Sequence, residues 1–579
     1  MEMVNVKING IDVSVPKGST VLEAAHAAGI EIPTLCYMKE INEIGACRIC
    51  VVEVKGARGL VTACVYPVTE GMEVTTNSEK IRAYRKMTLE MILSTHERKC
   101  LSCVRSGNCE LQKLCRDYGI EDAARFDGDR ITSPLDETSA SIVRDNNKCI
   151  LCRRCVAACK NQAIGVIGAN DRGFDTHIGT AFDVNLGDVA CVGCGQCIVN
   201  CPTGALREKD STKDVWAALA DPEKTVIVHT APSVRAALGE EFGLPMGTNV
   251  EGKMAAALRR IGFDKVFDTD VAADVTIVEE ATELVQRIQN GGVLPMITSC
   301  SPGWIKYCEH YFPEQIDHLS SCKSPQQMMG AIIKTYYAEK MGLDVNKLYV
   351  VSVMPCTAKK FEITRDDQNA AGVPDNDASL TTRELADMIR RAGINFNALP
   401  DEKFDDVLGD GSGAAVIFGA TGGVMEAALR TAAEWLTKKP LENVEFTEVR
   451  GVEGIKEATY DLAGLKVKVA VASGTKNAKA IMEKIQKGEA DYHFVEIMCC
   501  PGGCVNGGGQ PHVPASVKNF TDVRAVRAKA LYGQDAAMKL RKSHESPIVK
   551  ALYDEYFGEY GSHKAHEVLH TTYVKRGKY

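Results

Sequence analysis

The chain contains the stretches Val293-Leu-Pro-Met-Ile-Thr-Ser-Cys300, Leu348-Tyr-Val-Val-Ser-Val-Met-Pro-Cys356 and Phe494-Val-Glu-Ile-Met-Cys-Cys-Pro-Gly-Gly-Cys504, each of which is hydrophobic and runs into cysteine. Each stretch predicts a buried strand with soft metal ligands at its C-terminal tip. In open α/β sheets, ligands and active sites collect at that edge of the sheet. We therefore predict a metal site where the three tips meet. Cys308 lies in a helix-like run and is predicted to be structural.

Strand-like and helical patterns alternate around these stretches from residue 211 to the end of the chain. Further strand-like runs lie at residues 225–228, 414–418 and 467–472, and a helical pattern covers 382–392. This alternation predicts parallel βαβ units, so residues 211–579 are predicted to form an α/β domain with parallel sheets. The glycines at 419–423 and 507–509 are predicted to let the backbone approach a bulky cofactor.

Length and composition predict a multidomain enzyme with metal chemistry. A chain of 579 residues exceeds one hydrophobic core, and its net charge of −8 lacks the basic footprint of nucleic-acid binding. It contains no apolar run of the ~18–20 residues that span a membrane. No signal peptide is visible, so we predict a cytoplasmic protein, in a compartment where disulfides are rare. The 23 cysteines are then explained by metals or redox chemistry.

Residues 1–80 predict a β-grasp ferredoxin-like domain that holds a 2Fe–2S cluster. A β-hairpin is indicated by alternating apolar residues on both sides of Asn9-Gly10. The cysteines that follow are spaced C-x10-C-x2-C-x13-C, which is related to the plant-type ferredoxin pattern, with structural zinc as the alternative. These predicted ligands are Cys36, Cys47, Cys50 and Cys64.

Residues 81–125 predict a small domain with one histidine and three cysteine ligands. A helix is expected from Glu79 to about Thr95, and the set H-x3-C-x2-C-x5-C follows it. The ligand count alone is compatible with zinc or with an iron–sulfur cluster. The position between two ferredoxin modules favours a 4Fe–4S cluster with one imidazole ligand. These predicted ligands are His96, Cys100, Cys103 and Cys109.

Residues 140–210 carry an internal repeat of C-x2-C-x2-C-x3-C, which is the run of bacterial two-cluster ferredoxins. In that fold the fourth cysteine of each run binds the other cluster. Lys160 replaces the proline that usually follows the first run, but proline donates no ligand. The two predicted 4Fe–4S sets are Cys149, Cys152, Cys155 and Cys201, and Cys191, Cys194, Cys197 and Cys159.

Longer motifs around the cysteine tips resemble the signatures of iron-only (FeFe) hydrogenases. They are Thr298-Ser-Cys-Ser-Pro-Gly-Trp304, Met354-Pro-Cys-Thr-Ala-Lys-Lys-Phe-Glu362 and Glu496-Ile-Met-Cys-Cys-Pro-Gly-Gly-Cys504 with the glycines after it. With the accessory domains, the resemblance covers essentially the whole chain and is to the large clostridial type with four accessory clusters. The N-terminal part resembles the electron-input subunit of respiratory complex I.

This resemblance implies an H-cluster, which is a 4Fe–4S cubane joined through a cysteine to a di-iron unit carrying CO, cyanide and azadithiolate. It implies reversible formation of H₂ from protons and electrons, fed by three further 4Fe–4S clusters and one 2Fe–2S cluster. By resemblance, Cys356, Cys500 and Cys504 bind the cubane, and Cys504 bridges to the di-iron unit. Lys359 and Ser233 would hydrogen-bond the cyanides.

The resemblance also implies a dry pocket and a proton relay. The implied pocket residues are Met354, Met498, Phe418, Ala231, Pro232, Gln326 and Gly419. The implied relay runs through Glu283, Ser320 and Glu280 to Cys300, with Arg287 at its outer end. From the residues alone, a solvated helix face is the favoured interpretation of Glu280 and Glu283, and the resemblance reverses this preference.

The sequence departs from the family pattern at Cys300-Ser301, where the usual motif has two cysteines, the first a proton relay and the second a cubane ligand. Cys300 could bind the cubane while another group delivers protons, or Ser301 could bind it. Cys322 or Cys499 could also take one of these roles. We favour Cys300 as the cubane ligand, because a hard alkoxide suits a cubane iron less well than a thiolate.

Two functional classes remain after this comparison. The favoured one is the hydrogenase subunit of a larger complex that exchanges electrons with NAD(P)H, ferredoxin or formate through a redox partner protein. The chain has no flavin or nucleotide motif, so those cofactors would lie on flavin-containing or formate-oxidising partner subunits. The alternative is a non-catalytic electron-transfer, cluster-assembly or hydrogen-sensing protein.

Overall fold

A computed structural model describes residues 2–462 and 464–578. The N-terminal part is a mixed five-stranded sheet packed against one helix, with strand order β2-β1-β5-β3-β4. Asn9 and Gly10 both have positive φ, as the tight β1–β2 turn requires, and Thr20 and Glu23 form a capping box on α1. Its elements are β1 Met3–Ile8, β2 Ile11–Pro16, α1 Val21–Ala27, β3 Val51–Val54, β4 Val61–Thr62 and β5 Glu73–Thr75.

Two small α-helical and β-ribbon units connect this sheet to the large C-terminal part. The predicted helix after residue 79 is present, and a short helix follows the third cysteine of the His/Cys set. The two-cluster region contains two antiparallel strand pairs, β6 with β9 and β7 with β8. The elements are α2 Glu79–Thr95, α3 Glu110–Asp117, β6 Ile142–Arg144, α4 Arg154–Asn161, β7 Gly168–Asn170, β8 His177–Gly179, α5 Gln196–Val199 and β9 Leu206–Glu208.

The C-terminal part contains two four-stranded sheets with helices around them. Its first half comprises α6 Thr212–Leu219, β10 Thr225–Thr230, α7 Pro232–Arg235, α8 Glu251–Ile261, β11 Lys265–Asp268, α9 Asp270–Asn290, β12 Met296–Ile297, α10 Pro302–Tyr311, α11 Pro325–Ile332, α12 Ala338–Met341, β13 Leu348–Met354, α13 Lys359–Glu362, β14 Ala378–Thr381 and α14 Thr382–Arg391. Its second half comprises α15 Gly413–Val416, α16 Gly423–Thr437, β15 Ile455–Leu462, β16 Leu465–Ser473, α17 Thr475–Gln486, β17 Phe494–Met498, α18 Ala515–Lys518, α19 Val523–Ala537, α20 Pro547–Leu552 and α21 His563–Leu569.

The first sheet has the order β11-β10-β13-β14, and all its strands are parallel. The central strands β10 and β13 are almost wholly buried, because helices cover both faces of the sheet. The second sheet has the order β12-β17-β16-β15 and is parallel except for its antiparallel edge strand β15. These sheets confirm the prediction of an α/β domain with parallel strands.

The three cysteine tips do not lie on one sheet. The strands before Cys300 and Cys500 are β12 and β17, which are neighbours in the second sheet. The strand before Cys356 is β13, in the first sheet. The prediction of a single sheet edge is therefore wrong, since the carboxyl ends of two sheets converge on the same space.

The strand predicted at residues 414–418 is a helix. α15 covers Gly413–Val416, and one 3₁₀ turn follows it. The Ser412 hydroxyl caps this helix by accepting from the Ala415 amide, and the segment is buried against α9, α16 and α19. A short apolar run has no period of its own that separates a buried strand from a buried helix. Among the described residues, no helix combines the length and apolarity needed to cross a membrane.

Candidate metal centres and active-site cavity

The four N-terminal cysteines form a compact thiol group. The Sγ atoms of Cys50 and Cys64 are 3.2 Å apart, and the Cys47 amide donates to the Cys36 sulfur at 3.4 Å. All four lie in loops or turns outside the strands of the small sheet, and Cys36, Cys50 and Cys64 are buried. No disulfide joins any of the 23 cysteines in the described residues, so these thiols are available as metal ligands.

His96 is a buried imidazole at the end of α2 whose Nδ1 has no hydrogen-bond partner in the described part of the chain. Burial, and then the nearby Lys148 charge, lower the pKa of His96 to about 4, so its ring is neutral at pH 7. A neutral, unpartnered ring nitrogen fits a metal ligand. Cys103 packs against Gly204, and the Cys109 sulfur lies 3.6 Å from the Pro202 carbonyl oxygen. The His/Cys set therefore adjoins the two-cluster region.

The eight cysteines of the internal repeat all line one apolar cavity. The cavity lies among β6, α4, α5 and β9, and its remaining walls are mainly isoleucine, valine and leucine side chains. Burial raises the pKa of Cys149 and Cys159, because an apolar shell disfavours the thiolate. The arrangement fits the two predicted cubanes.

A second cavity lies where the carboxyl ends of the two large sheets converge. Every residue predicted to bind or enclose the H-cluster lines it, whereas the predicted carboxylates Glu280 and Glu283 lie behind its wall. The predicted residues that line it are Ala231, Pro232, Ser233, Cys300, Gln326, Met354, Cys356, Lys359, Phe418, Gly419, Met498, Cys500 and Cys504. The cavity brings together residues as distant in the chain as Ala231 and Cys504 only because β10, β13, β12 and β17 all end there.

Three thiols of this cavity form an electrostatic group. Burial, and then the neighbouring charges of Cys500 and Cys504, raise the pKa of Cys356 above its usual value. Burial and Cys500 raise the pKa of Cys504 to about 12. Gly503 has φ +91°, and a Cβ there would lie 2.6 Å from the Thr421 nitrogen, so the turn before Cys504 accepts only glycine. This geometry fits a cluster that binds all three sulfurs.

Lys359 is a buried cation in the cavity wall. Its Nζ donates to the Cys300 carbonyl oxygen at 3.2 Å and to Glu362 Oε2 at 2.9 Å. Glu362 also accepts from Ser324 and Gln326, both at 2.9 Å. Glu362 was not among the residues predicted from the sequence, although a glutamate three residues after Lys359 on one helix is placed to pair with it.

A hydrogen-bonded chain of polar groups leads from the surface towards Cys300. Arg287 pairs with Glu283 at 2.6 Å, and the Ser320 hydroxyl donates to Glu283 at 3.1 Å. Ser320 also lies beside Glu280, whose Oε1 accepts from the Ser299 hydroxyl at 3.4 Å and whose Oε2 is buried without a hydrogen-bond partner in the described residues. Burial, and then the Glu283 charge, raise the pKa of Glu280 to about 8. These groups do not form a solvated helix face.

Cys300 lies at the inner end of this chain. Burial, and then the charges of Glu280 and Cys504, raise the pKa of its thiol well above the usual value. Cys322 is buried on the relay side, with its sulfur 4.0 Å from Glu283 Oε2, and does not line the cavity. Ser301 and Cys499 do line the cavity, and the Cys499 amide donates to Ser301 Oγ at 3.2 Å.

The glycines after Cys504 mainly leave room for backbone atoms of neighbouring segments. A Cβ on Gly507 would lie 2.0 Å from the Pro355 carbonyl oxygen, and one on Gly508 would lie 2.3 Å from the Cys194 carbonyl oxygen. Gly507 lines the cavity, but Gly508 packs the ferredoxin-like region against the catalytic region. The sequence reasoning also did not predict that Cys194 reaches the wall of this cavity.

Comparison with known protein families finds five matching segments in the chain. Residues 224–508 match the C-terminal domain of the iron only hydrogenase large subunit, and residues 521–576 match the iron hydrogenase small subunit. Residues 1–79 match a 2Fe-2S iron-sulfur cluster binding domain, and residues 148–205 match a 4Fe-4S dicluster domain. Residues 85–124 match the iron-sulfur binding region of NADH-ubiquinone oxidoreductase-G.

Two curated relatives match over nearly the whole chain. The NADP-reducing hydrogenase subunit HndD of Solidesulfovibrio fructosivorans is 48% identical and covers 100% of both chains. Iron hydrogenase 1 of Clostridium pasteurianum is 46% identical, over 99% of this chain and 100% of its own. A solved structure of apo FeFe hydrogenase from Chlamydomonas reinhardtii is 43% identical with a TM-score of 0.57, over 63% of this chain and 99% of its own.

The fold and the cavity thus define a redox metalloenzyme with several iron–sulfur modules. The chain belongs to the iron-only (FeFe) hydrogenase family. It is an iron-only hydrogenase with 2Fe–2S and 4Fe–4S domains ahead of an H-cluster domain.

Proposed function

We propose that the chain interconverts protons and electrons with H₂ at an H-cluster held in the cavity between the two large sheets, as the hydrogenase subunit of a larger complex. The observation that carries this proposal is the cavity itself, which gathers three thiols, a buried lysine and a dry wall beside a chain of carboxylates. When bound, the H-cluster supplies the metal site at which protons and electrons combine.

Cys356, Cys500 and Cys504 would hold the cubane, and Cys504 would be the ligand shared with the di-iron unit. Their mutual charge effects and burial support this assignment. Lys359 presents a positive charge to the anionic cyanide ligands, and Ser233 offers a hydroxyl. Met354, Met498 and Phe418 exclude water from the site, together with Ala231, Pro232, Gln326 and Gly419.

Protons reach the cavity through Glu283, Ser320 and Glu280 and are handed to the Cys300 thiol. Carboxyl and hydroxyl groups can accept a proton on one side and donate one on the other. The raised pKa of Glu280, to about 8, keeps this buried carboxyl protonated at neutral pH, so it can donate. This assignment gives Cys300 the role of proton carrier, whereas the sequence reasoning favoured it as a cubane ligand.

The accessory regions would hold one 2Fe–2S cluster and three 4Fe–4S clusters, which would supply electron transfer to the active site. The ligands that we assign to the 2Fe–2S cluster and the His-ligated cluster are Cys36, Cys47, Cys50, Cys64, His96, Cys100, Cys103 and Cys109. The two cubanes of the internal repeat follow, and Cys194 brings one of them to the wall of the active-site cavity. This order supports a relay that ends at the H-cluster.

We propose that the redox partner carries the flavin and nucleotide cofactors, for which this sequence has no motif. The relative HndD is named as a subunit of an NADP-reducing hydrogenase, which supports an NADP-linked partner with its own flavin. Ferredoxin and a formate-oxidising subunit are the other partners to test. Cys100 is exposed and the neighbouring Leu101 is 100% exposed, so the His-ligated cluster lies where a partner could dock.

Anaerobic purification of the matured protein from its native host tests both parts of the proposal. The protein should evolve H₂ from reduced viologen, and it should co-purify with subunits that let H₂ reduce NADP⁺. Absence of H₂ evolution by fully metallated protein would overturn the catalytic assignment. H₂ evolution without any co-purifying subunit would overturn the proposed complex.

A further inference from the structure

Five thiols of the C-terminal part line the active-site cavity: Cys300, Cys356, Cys499, Cys500 and Cys504. A 4Fe–4S cubane held by cysteine alone takes four thiolates. Three of them are Cys356, Cys500 and Cys504 under the proposed function. The fourth ligand must come from Cys300, Cys499 or the hydroxyl of Ser301.

Cys300 is on the proton side of the cavity. Ser299, the residue before it, donates to Glu280 Oε1 at 3.4 Å, and Lys359 Nζ donates to the Cys300 carbonyl oxygen at 3.2 Å. Cys300 stands between the carboxylate chain and the thiol that we assign as the bridge to the di-iron unit. This position next to the carboxylate chain suits a proton carrier.

Cys499 is at the cubane end. It is buried, it directly precedes the assigned ligand Cys500 at the end of β17, and it belongs to the apolar cluster against which Cys194 packs. A Cβ added to Gly303 would lie 2.7 Å from the Cys499 sulfur, so this sulfur rests directly on the first turn of α10. Glycine at position 303 leaves the space that the Cys499 thiol occupies.

Ser301 begins the same turn and is a poorer ligand. Its hydroxyl oxygen accepts the Cys499 amide at 3.2 Å, which places the two residues side by side. A cubane iron prefers a soft thiolate to a hard alkoxide. The thiol missing at position 301 is therefore available from the adjacent position 499.

We propose that Cys499 supplies the fourth thiolate to the cubane, together with Cys356, Cys500 and Cys504. The proposal rests on the H-cluster assignment of this cavity. The Cys499 thiol releases its proton to solvent as the sulfur–iron bond forms, and no electron is transferred. Cys300 then stays free to carry protons. Cys499 and Cys500 both lie close to Cys194, which we assign as a ligand of an accessory cluster.

Iron analysis and EPR of the full chain, produced without installation of the di-iron unit, test this proposal. Cys499→Ala should lose about four iron atoms per chain and the EPR signal of the reduced cubane, while Cys300→Ala and Ser301→Ala keep both. The double variant Cys499→Ala/Ser301→Cys should recover the iron and the signal, because it moves the thiol to the adjacent residue. Cys308→Ala, a buried cysteine of α10 outside the cavity, is the matched control.

Other patterns of iron loss and EPR-signal loss among these variants would overturn the proposal. Full iron in Cys499→Ala with loss in Ser301→Ala or in Cys300→Ala would assign the ligand to that residue. Loss of an accessory-cluster signal in place of the cubane signal would assign Cys499 to the cluster of Cys194. The iron count decides the ligand even if the matured wild-type protein evolves no H₂, so failure of the proposed function is seen separately.

At the outer end of the proton chain, Glu283 has two polar neighbours, Arg287 and Ser321. Arg287 pairs with Glu283 there, but a guanidinium is not deprotonated in proteins and cannot pass a proton on. On the other side of Glu283, the Ser321 hydroxyl lies 3.3 Å from Glu283 Oε2 and 2.8 Å from His570 Nδ1. Imidazole is the side chain that exchanges protons in the neutral range.

His570 connects this network to the surface. Its Nε2 lies 3.1 Å from Glu279 Oε2, and its ring is 3.9 Å from the ring of the exposed His566 on α21. The other titratable groups around it are Glu283 and Cys322 beside Ser321, and Tyr553, which hydrogen-bonds Glu279. We infer that His570 collects protons and passes them through Ser321 to Glu283.

Replacing His570 with glutamine tests this branch, which rests on the proposed relay. Glutamine keeps hydrogen-bonding capacity but does not titrate, so H₂ evolution should fall by on the order of 10-fold or more near pH 7. Its pH profile should change, its solvent isotope effect should increase, and its iron content should equal that of wild type. His563→Gln, at an exposed position at the start of α21, should behave like wild type. Equal pH profiles and isotope effects for both variants, or iron loss in His570→Gln, would overturn the branch.

Discussion

At the scale of single residues, burial determines what the polar groups of the active site can do. Glu280 and Glu283 are three positions apart on α9, yet Glu280 is fully buried whereas Glu283 pairs with Arg287. Removing a carboxylate from water and placing a second charge nearby both favour its protonated form. The two glutamates therefore differ in chemistry although their spacing along the helix is regular.

Replacing Glu280 with glutamine should lower H₂ evolution by about 10²–10⁴-fold, because the amide cannot relay a proton. In the wild-type protein, the rate should decline as pH rises through about 8, since the pKa of Glu280 is raised to about 8 and the deprotonated form has no proton to donate. Rates measured from pH 6 to pH 10, with iron content as the control, check both statements. A glutamine variant with wild-type rates would exclude Glu280 from the route.

At the scale of secondary-structure elements, buried ion pairs hold the C-terminal helices to the catalytic core. Arg430 on α16 is fully buried and pairs with Glu426 at 2.8 Å and with Asp535 on α19 at 2.9 Å. α19 also packs on α15, the segment for which the apolar pattern predicted a strand. The tertiary contact of these helices, rather than local preference, decides the conformation of residues 413–416.

Arg430→Met should lower the free energy of unfolding by up to about 3–5 kcal/mol, because it removes the fully buried cation between Glu426 and Asp535 and leaves them only the less buried Arg450 and Arg541. The thermal unfolding midpoint of anaerobic protein measures this effect. Lys529→Met, at an exposed position of α19, should change stability by less than about 0.5 kcal/mol. Equal unfolding midpoints for the two variants would show that the Arg430 ion pairs do not contribute this much to stability.

At the scale of the whole molecule, one arginine connects three of the four regions. Arg154 is fully buried at the start of α4 and donates to Glu110 on α3 at 2.8 Å and to the Tyr37 carbonyl oxygen at 3.2 Å. Its contacts lie beside the proposed ligands Cys36, Cys109 and Cys155 in sequence. The accessory regions are thereby fixed relative to one another along the proposed electron route.

Arg154→Met should loosen this junction without altering the active-site cavity. We expect faster proteolysis of the connector at residues 121–135, most of which is exposed and lacks regular structure, with H₂ evolution from reduced viologen within about twofold of wild type. Arg153→Met, at the exposed neighbouring position, is the matched control. Identical proteolysis of both variants would show that Arg154 does not hold the regions together.

The sequence by itself predicted the iron–sulfur ligand sets and determined the α/β class of the C-terminal part, while its resemblance to FeFe hydrogenases supplied most residues of the cavity wall. Ligand spacing is local, and buried parallel strands leave continuous apolar runs, so both are visible without coordinates. Tertiary structure alone decided that the three cysteine tips belong to two sheets and that 413–416 is helical. It also decided that Cys499 lies beside Ser301 and that Glu280 contacts Ser299, the residue before Cys300. Adjacent residues such as Cys300 and Ser301 point in different directions once a strand ends and a helix begins, and only packing between distant segments fixes which thiol meets which partner.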